Sequence, residues 1–157
     1  MGINLLQFFS SNEEVGVINN LINEINATAF TTDAVITKTD TATATLTAAN
    51  LTAAHDTVYI LMTGTTSGST LTLDTVANVV AALQNQWGPG VSVIGATFIV
   101  RVINSGGSNT WTVTTATGWG TLNGTQTVAN NTWRDFIAVI NTATTGTWTS
   151  IGVGTQS

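Results

Sequence analysis

Side chains that could carry acid–base or nucleophilic chemistry are few and widely spaced in this sequence. His55 is the only histidine, and the adjacent Asp56 would point the opposite way on a strand. Acid–base and nucleophilic mechanisms mostly need a histidine beside a nucleophile or a carboxylate. The other aspartates are scattered along the chain, at Asp33, Asp40, Asp74 and Asp135. The sequence therefore predicts no catalytic residue and favours a protein that is not an enzyme.

Metal, phosphate and nucleic-acid sites have no better support. The chain has no cysteine, a single histidine and no aspartate-rich calcium loop, and its glycines fall at predicted turns. The net charge is -5 with only three basic residues, so contact with a row of phosphates is disfavoured. No apolar run approaches the ~20 residues of a membrane span. We expect no cofactor, no metal, no nucleic acid and no membrane.

The composition predicts a surface that is polar but uncharged. Only 7% of the residues are charged, against about 25% in ordinary soluble domains. Threonine makes up about a fifth of the chain and supplies most of the missing polarity. Because threonine and asparagine form hydrogen bonds without the desolvation cost of ions, such a surface suits a protein covered by neighbouring subunits. A secreted β protein would have a similar composition.

The strongest strand pattern lies in Val93–Asn104, which is rich in β-branched residues and bounded by turn residues. Its apolar side chains fall on both faces, so we expect this strand at the centre of a sheet with both sides covered. Arg101 is the discordant residue within it. A charge at such a position is usually paired or at an interface. The pattern points to Asp135 as its partner, with an inter-subunit contact as the alternative.

One helix is predicted with clear ends. Asp74 caps it, and Gly88-Pro89 ends it after Trp87. Between them an apolar stripe follows the helical period, through Val76, Val79, Val80, Leu83 and Trp87. We expect this helix to lie across the sheet that contains Val93–Asn104.

Short strands separated by turn residues fill the remainder of the chain after residue 30. The pattern predicts them over 34–38, 41–47, 57–62, 70–73, 109–115, 125–129, 132–141 and 147–153. Asn123-Gly124 is the strongest hairpin signal. This spacing indicates a mainly β domain over residues 30–157, a threonine-rich antiparallel β-sandwich or barrel-like fold with one packed helix.

Residues 1–29 differ in pattern from the β domain. They read as an apolar arm, with Leu5, Leu6, Phe8 and Phe9, followed by a helix that begins with two capping-box matches. The helix carries a heptad-like stripe of Val15, Ile18, Ile22 and Ile25. Two interpretations stay open: the helix packs on its own sheet, or it mediates self-association, for which isoleucine at both seam positions favours three or more strands.

Two of the five tryptophans are the best candidates for a role outside the core. Trp119 stands between glycines in a predicted turn, and Trp148 lies in the last predicted strand. An exposed tryptophan can anchor a protein interface or offer a flat face to a sugar ring. Packing in the core is the alternative for each of them.

Residues 70–153 resemble structural proteins of tailed-bacteriophage virions. The resemblance rests on the capped helix followed by VIGATFIVRVIN at 93–104, LNGTQTVANN at 122–131 and TWRDFIAVIN at 132–141. It implies a β module like those of capsid decoration (cement) proteins and of head or tail fibres. Such proteins act by binding, so the resemblance brings no catalytic residues.

The resemblance and the composition together suggest a decoration protein on the capsid surface of a virion. We expect a homotrimer that stabilises the shell, with residues 1–29 contacting the major capsid protein, another virion protein or sister subunits. The expected interface comprises the apolar residues of the arm and helix together with Trp119 and Trp148. The alternative is a carbohydrate- or receptor-binding fibre or adhesin module that uses those two tryptophans.

Overall fold

The computed structural model describes residues 33–39, 42–54, 57–63, 69–88, 90–105 and 109–156. The predicted arm and helix of residues 1–29, together with His55 and Asp56, lie outside these ranges. The described part contains the strands and helices β1 (Asp33–Lys38), β2 (Thr43–Leu46), α1 (Ala48–Leu51), β3 (Thr57–Met62), β4 (Ser69–Leu73), α2 (Val76–Trp87), β5 (Thr97–Asn104), β6 (Trp111–Thr114), β7 (Thr127–Val128), β8 (Thr132–Ile140) and β9 (Gly146–Thr155).

The first six strands wind between two sheets. Each odd-numbered strand lies in a five-stranded sheet, and the strand that follows it lies in a four-stranded sheet. A helix then leads back for the next pass, α1 before β3 and α2 before β5. Successive passes place β1, β3 and β5 side by side and parallel, and likewise β2, β4 and β6. The chain thus forms three coils, each with one strand in each sheet.

The last three strands, β7, β8 and β9, each pair antiparallel with a neighbour. β7 pairs with β6 at the end of the four-stranded sheet, which has the order β2-β4-β6-β7. β8 pairs with β5, and β9 pairs with β8, so the five-stranded sheet has the order β1-β3-β5-β8-β9. The predicted mainly β, sandwich-like fold with a packed helix is confirmed, and it is an open sandwich of two mixed sheets. The expectation of antiparallel pairing throughout is wrong, because the helical returns make neighbours in the first three coils parallel.

The two sheets face each other across one hydrophobic core. The inward side chains of β3, β5 and β8 meet those of β4 and β6, and the largest of them are fully buried. The central position of the Val93–Asn104 stretch is confirmed, since β5 lies between β3 and β8. Its strand begins only at Thr97, because Gly95 has a positive φ of 87° and turns the chain just before it.

The outward side of the four-stranded sheet is made of threonine. Two rows of threonines lie in register across the strands. The first row is Thr43, Thr70, Thr112 and Thr127, and the second is Thr45, Thr72 and Thr114. The hydroxyls of Thr72 and Thr114 lie 3.1 Å apart and share a hydrogen bond. Threonine favours strands and tolerates water, so this face is hydrated without carrying charge.

Helix α2 differs from its prediction in its cap. The N-cap is Thr75, whose hydroxyl accepts from the Asn78 amide at 3.2 Å. Asp74 acts from one residue earlier: its carboxylate accepts from Thr75 N at 2.7 Å, from the Asn78 side chain at 2.7 Å and from Ala48 N at 2.8 Å. One carboxylate therefore joins the start of α2 to the start of α1. Its main helical neighbour is α1, and its apolar stripe, Val76, Val79, Val80 and Leu83, is buried in the core that also contains Phe98 of β5.

The Asn123-Gly124 turn also differs from expectation. β6 and β7 do form an antiparallel pair, but the chain between them runs from residue 115 to 126 instead of making a two-residue turn. Within this connection, Asn123 N donates to Trp148 O and Ser150 N donates to Asn123 O, both at 3.0 Å. Asn123-Gly124 is thus a turn in a loop that runs alongside β9, and Gly124 supplies the positive φ of 73° that the turn needs.

Replacement of Asp74 tests its role as a joint between the helices. Burial alone would raise the pKa of Asp74, but the hydrogen bonds from Asn78, Ala48 and Thr75 outweigh it and hold that pKa below its ordinary value. Asp74→Ala should lower the free energy of unfolding by about 2–3 kcal/mol, because three donors lose their acceptor. Asp74→Asn, which keeps one acceptor oxygen, should lose less. Urea denaturation followed by circular dichroism measures both.

The pH dependence gives a second readout for the same residue. A carboxylate with a depressed pKa in the folded state stabilises the fold above its unfolded pKa, and this contribution is lost as the pH falls through the folded pKa. The stability difference between wild type and Asp74→Asn should therefore be full near pH 7 and shrink below about pH 4. A difference that stays constant over this range would contradict the account.

Candidate interaction surface

The outward side of the five-stranded sheet, here called the apolar outer face, is built from side chains in register across the strands. One row runs Thr37, Leu61, Ile103, Trp133 and Gly154 from β1 to β9. The next row runs Val35, Tyr59, Arg101, Asp135 and Gly152, and the third runs Asp33, Thr57, Ile99, Ile137 and Thr149. Aliphatic and aromatic side chains thus occupy the middle of the sheet on its outer as well as its inner side.

Residues of this face shield one another only in part. Leu61, Ile99, Ile103 and Ile137 are half-buried, and Val35 on the edge strand is 71% exposed. A sheet face that stays in contact with water normally carries polar residues, as the threonine face does here. Contiguous apolar surface on a soluble protein indicates an interaction site. The contrast between the two outer faces therefore marks the apolar outer face as the candidate surface.

Arg101 and Asp135 form the ion pair that the sequence predicted. They stand opposite each other on β5 and β8. Arg101 Nε donates to Asp135 Oδ1 at 2.7 Å, and Arg101 Nη2 donates to Asp135 Oδ2 at 2.8 Å. This bidentate geometry is the preferred one for guanidinium and carboxylate. The charges of Arg101 and Asp135 cancel. A protein surface that covers this face would therefore need no charged residue opposite the pair.

Aromatic rings hold the guanidinium in place. Its central carbon lies 4.0 Å from the ring centroid of Trp133 and 5.7 Å from that of Tyr59, within the range of cation–π attraction. The indole of Trp133 lies over Gly154, where a Cβ would overlap it. The hydrogen bonds that Arg101 donates to Asp135 raise the pKa of Arg101 above its ordinary value, against the opposing effect of burial. Arg101 therefore stays charged while it is wedged into an apolar surface.

The prediction that Trp119 and Trp148 serve as exposed anchors is wrong for the fold seen here. Trp119 is only 6% exposed and Trp148 is completely buried. Trp148 stacks on Phe136 with ring centroids 5.1 Å apart, and Trp119 meets it edge-on at 5.8 Å. The indole N–H of Trp119 donates to Asp74 O at 2.7 Å.

The flanking glycines explain why the tryptophan signal misled. Gly118 has a φ of 98°, and a Cβ there would overlap Val76 and the Thr144 carbonyl. Glycine is therefore needed for close approach of the loop to the core, and this loop inserts Trp119 between the sheets. The residue that sequence reasoning missed is Trp133, whose alternation with Asp135 and Ile137 on β8 places it on the apolar outer face.

The remaining candidates are the N-terminal interface residues, metal sites, membrane-spanning helices and cavities. The eight predicted interface residues of the arm and N-terminal helix lie outside the described part. Within it, no cluster of three metal-ligating side chains is present, and no helix is long and apolar enough to span a membrane. A cavity of about 20 Å³ lies between Thr52, Gln86 and Phe98, which is room for about one water molecule.

Comparison of the chain with protein-family models, with curated proteins and with solved structures found no match. The apolar outer face and the ion pair within it are therefore interpreted from their own geometry.

A double-mutant cycle on Arg101 and Asp135 tests the pairing. Arg101→Gln, Asp135→Asn and the double variant should show a coupling of about 1 kcal/mol in the free energy of unfolding, because each single change leaves one charge on an apolar face. Arg134 is the matched control, since it donates to neutral acceptors, Thr127 O and Ser150 Oγ. Arg134→Gln combined with Asp135→Asn should show a weaker coupling than Arg101→Gln with Asp135→Asn, because Arg134 and Asp135 point to opposite faces of β8. Absence of coupling for Arg101 would remove the ion pair from the account.

Proposed function

We propose that the protein is a structural component of a phage virion that decorates and stabilises the capsid through non-covalent subunit contacts. The observation that carries the proposal is the apolar outer face, with its self-neutralised Arg101–Asp135 pair. Burial of apolar surface contributes about 25 cal/mol per Å², and a stable contact covers about 800 Å² on each partner. A face of this kind supports a role in binding other protein subunits.

The rest of the surface supports the same role. The threonine face offers hydroxyls without charge, and the whole chain has only eight acidic and three basic residues. Contacts built from such surfaces avoid the desolvation cost of ions and depend little on salt. Many weak contacts repeated around a shell add to a strong attachment because each bound subunit holds its neighbours close. Decoration would in this way clamp adjacent capsomers against the pressure of a packaged genome.

Residues 1–29 supply the second part of the proposal. Their stripe of Val15, Ile18, Ile22 and Ile25 favours self-association, with a homotrimer as the preferred state. The apolar arm would contact the major capsid protein or another virion protein. The carbohydrate-binding alternative gains no observation in its favour, since both tryptophans on which it depended are buried.

Light scattering on the purified full chain tests self-association. We expect the mass of a trimer or a multiple of it. Leu61→Glu places a charge on the apolar outer face and should lower the mass from a multiple of the trimer towards the trimer itself. The neutral Leu61→Asn should have a smaller effect, because burying a charge costs more than burying an amide. Thr70→Glu on the threonine face is the matched control and should leave the mass unchanged. Circular dichroism verifies that each variant is folded.

Attachment is measured with the same proteins by sedimentation with capsid shells. The wild type and Thr70→Glu should sediment with the shells, and Leu61→Glu should remain in the supernatant. A wild-type chain that stays monomeric at high concentration would overturn the assembly role. An oligomer that never sediments with shells would overturn the decoration role alone.

A further inference from the structure

The two ends of the sandwich differ in how far their edge strands are protected from pairing with another chain. At the end formed by β7 and β9, the free edges are protected. Gly120 N donates to Gly146 O at 3.1 Å and Asn123 N donates to Trp148 O at 3.0 Å, so a loop covers much of the β9 edge. A bulge interrupts the pairing of β9 with β8 beyond that point. β7 has only two residues, and Arg134 Nε donates to Thr127 O at 2.8 Å.

The opposite end, formed by β1 and β2 of the first coil, has none of these devices within the described residues. There, β1 pairs only with β3, and β2 pairs only with β4. Neither strand contains proline, glycine or a bulge, and β1 has lysine only at its last position. Edges of this type are templates for pairing with another chain.

Hydrogen bonds within the sheets identify which backbone groups point outward at these edges. Lys38 O accepts from Thr63 N at 2.9 Å, which directs the even-numbered residues of β1 towards β3. Leu46 O likewise accepts from Asp74 N at 2.9 Å, which directs the even-numbered residues of β2 towards β4. The outward groups are therefore those of Asp33, Val35 and Thr37 on β1, and of Thr43 and Thr45 on β2.

We infer that this end binds a second copy of the chain, edge to edge, about a twofold axis perpendicular to the sheets. β1 pairs antiparallel with the partner's β1, and β2 pairs antiparallel with the partner's β2. The occupant must present two strand edges separated by the distance between packed sheets, about 10 Å. A second copy presents this pair of edges, and a twofold axis satisfies both edges of both copies. The inference deepens the proposed function and rests on it, since it names one contact of a self-assembling structural protein.

The pairing register on β1 follows from the alternation of side chains. A twofold axis perpendicular to the sheet keeps inner and outer faces matched only if opposite residues have numbers of equal parity. With Val35 opposite the partner's Val35, Asp33 lies opposite the partner's Thr37, and all three outward residues of β1 are paired. This register covers Val35, which is 71% exposed. It also covers the open end of the core at Ala34 and Ile36, which are only partly buried.

The twofold contact extends the candidate surface. The two five-stranded sheets become one sheet of ten strands, and the two apolar outer faces become continuous across the paired valines. This contact uses the β domain, whereas the expected threefold contact uses residues 1–29.

Single cysteine substitutions in the full chain test the contact, because the protein has no cysteine of its own. Val35→Cys should form a disulfide-linked dimer on copper-catalysed oxidation, since Cα atoms of a hydrogen-bonded antiparallel pair lie about 5.5 Å apart, within the range of disulfides. Asp33→Cys and Thr37→Cys should not cross-link alone but should do so when mixed. The larger part of the protein is expected at twice the monomer mass on a non-reducing gel.

Ile94→Cys is the control, because Ile94 is 62% exposed and lies in the turn before β5, away from the β1 edge. Cross-linking of Val35→Cys no faster than that of Ile94→Cys would reduce the contact to random collision and overturn the inference. Resistance of Val35→Cys to both oxidation and a small thiol reagent would also overturn it, by showing that another segment of the same chain covers the edge. If light scattering still gives an oligomer in either case, the proposed function survives. A monomer in light scattering would remove both.

Discussion

The fold depends on β5 satisfying two different kinds of neighbour at the same time. On one side it continues the parallel pairing of the coils through β3, and on the other it pairs antiparallel with β8. Its inner side chains, Phe98, Val100 and Val102, are buried in the core. Its outer side chains, Ile99, Arg101 and Ile103, form the middle of the apolar outer face. Core and candidate surface are therefore two sides of one strand.

This double role explains how a charge is tolerated at Arg101. An arginine in the centre of an apolar face costs desolvation energy unless it is fully engaged. The antiparallel partner brings Asp135 directly opposite, and Trp133 and Tyr59 cover the guanidinium. The face therefore contains two charged side chains, but their opposite charges cancel and leave no net charge. Such a surface can be covered by protein with little electrostatic cost, which is a property expected of a subunit contact.

Sequence patterns predicted the positions of the strands well, because hydrophobic alternation and turn residues are local signals. They also predicted the Arg101–Asp135 pair, since a single charge in a two-sided apolar strand leaves few possible partners. Parallel pairing was not predicted, because the order in which strands join a sheet depends on the paths of the returns between them. Short helix α1 escaped detection because four residues, Ala48–Leu51, carry too little periodicity.

The tryptophans show the same limit at the level of single residues. Glycines around Trp119 are typical of an exposed turn, yet here they permit close approach of a loop to the core. Whether a glycine-rich loop points outward or inward is decided by tertiary packing, which local sequence does not encode. Trp133 gave no special signal, although its alternation with Asp135 and Ile137 places it on the outer face.

Coverage of the apolar outer face in the assembled protein is the central claim, and hydroxyl-radical footprinting measures it directly. Oxidation of Trp133 and Tyr59 should fall strongly when the dilute protein is compared with the assembled or shell-bound protein. Trp87 is 40% exposed and lies on helix α2, which is not part of the five-stranded sheet, and it should be oxidised equally in both states. Equal oxidation of Trp133 in the dilute and assembled states would contradict the account.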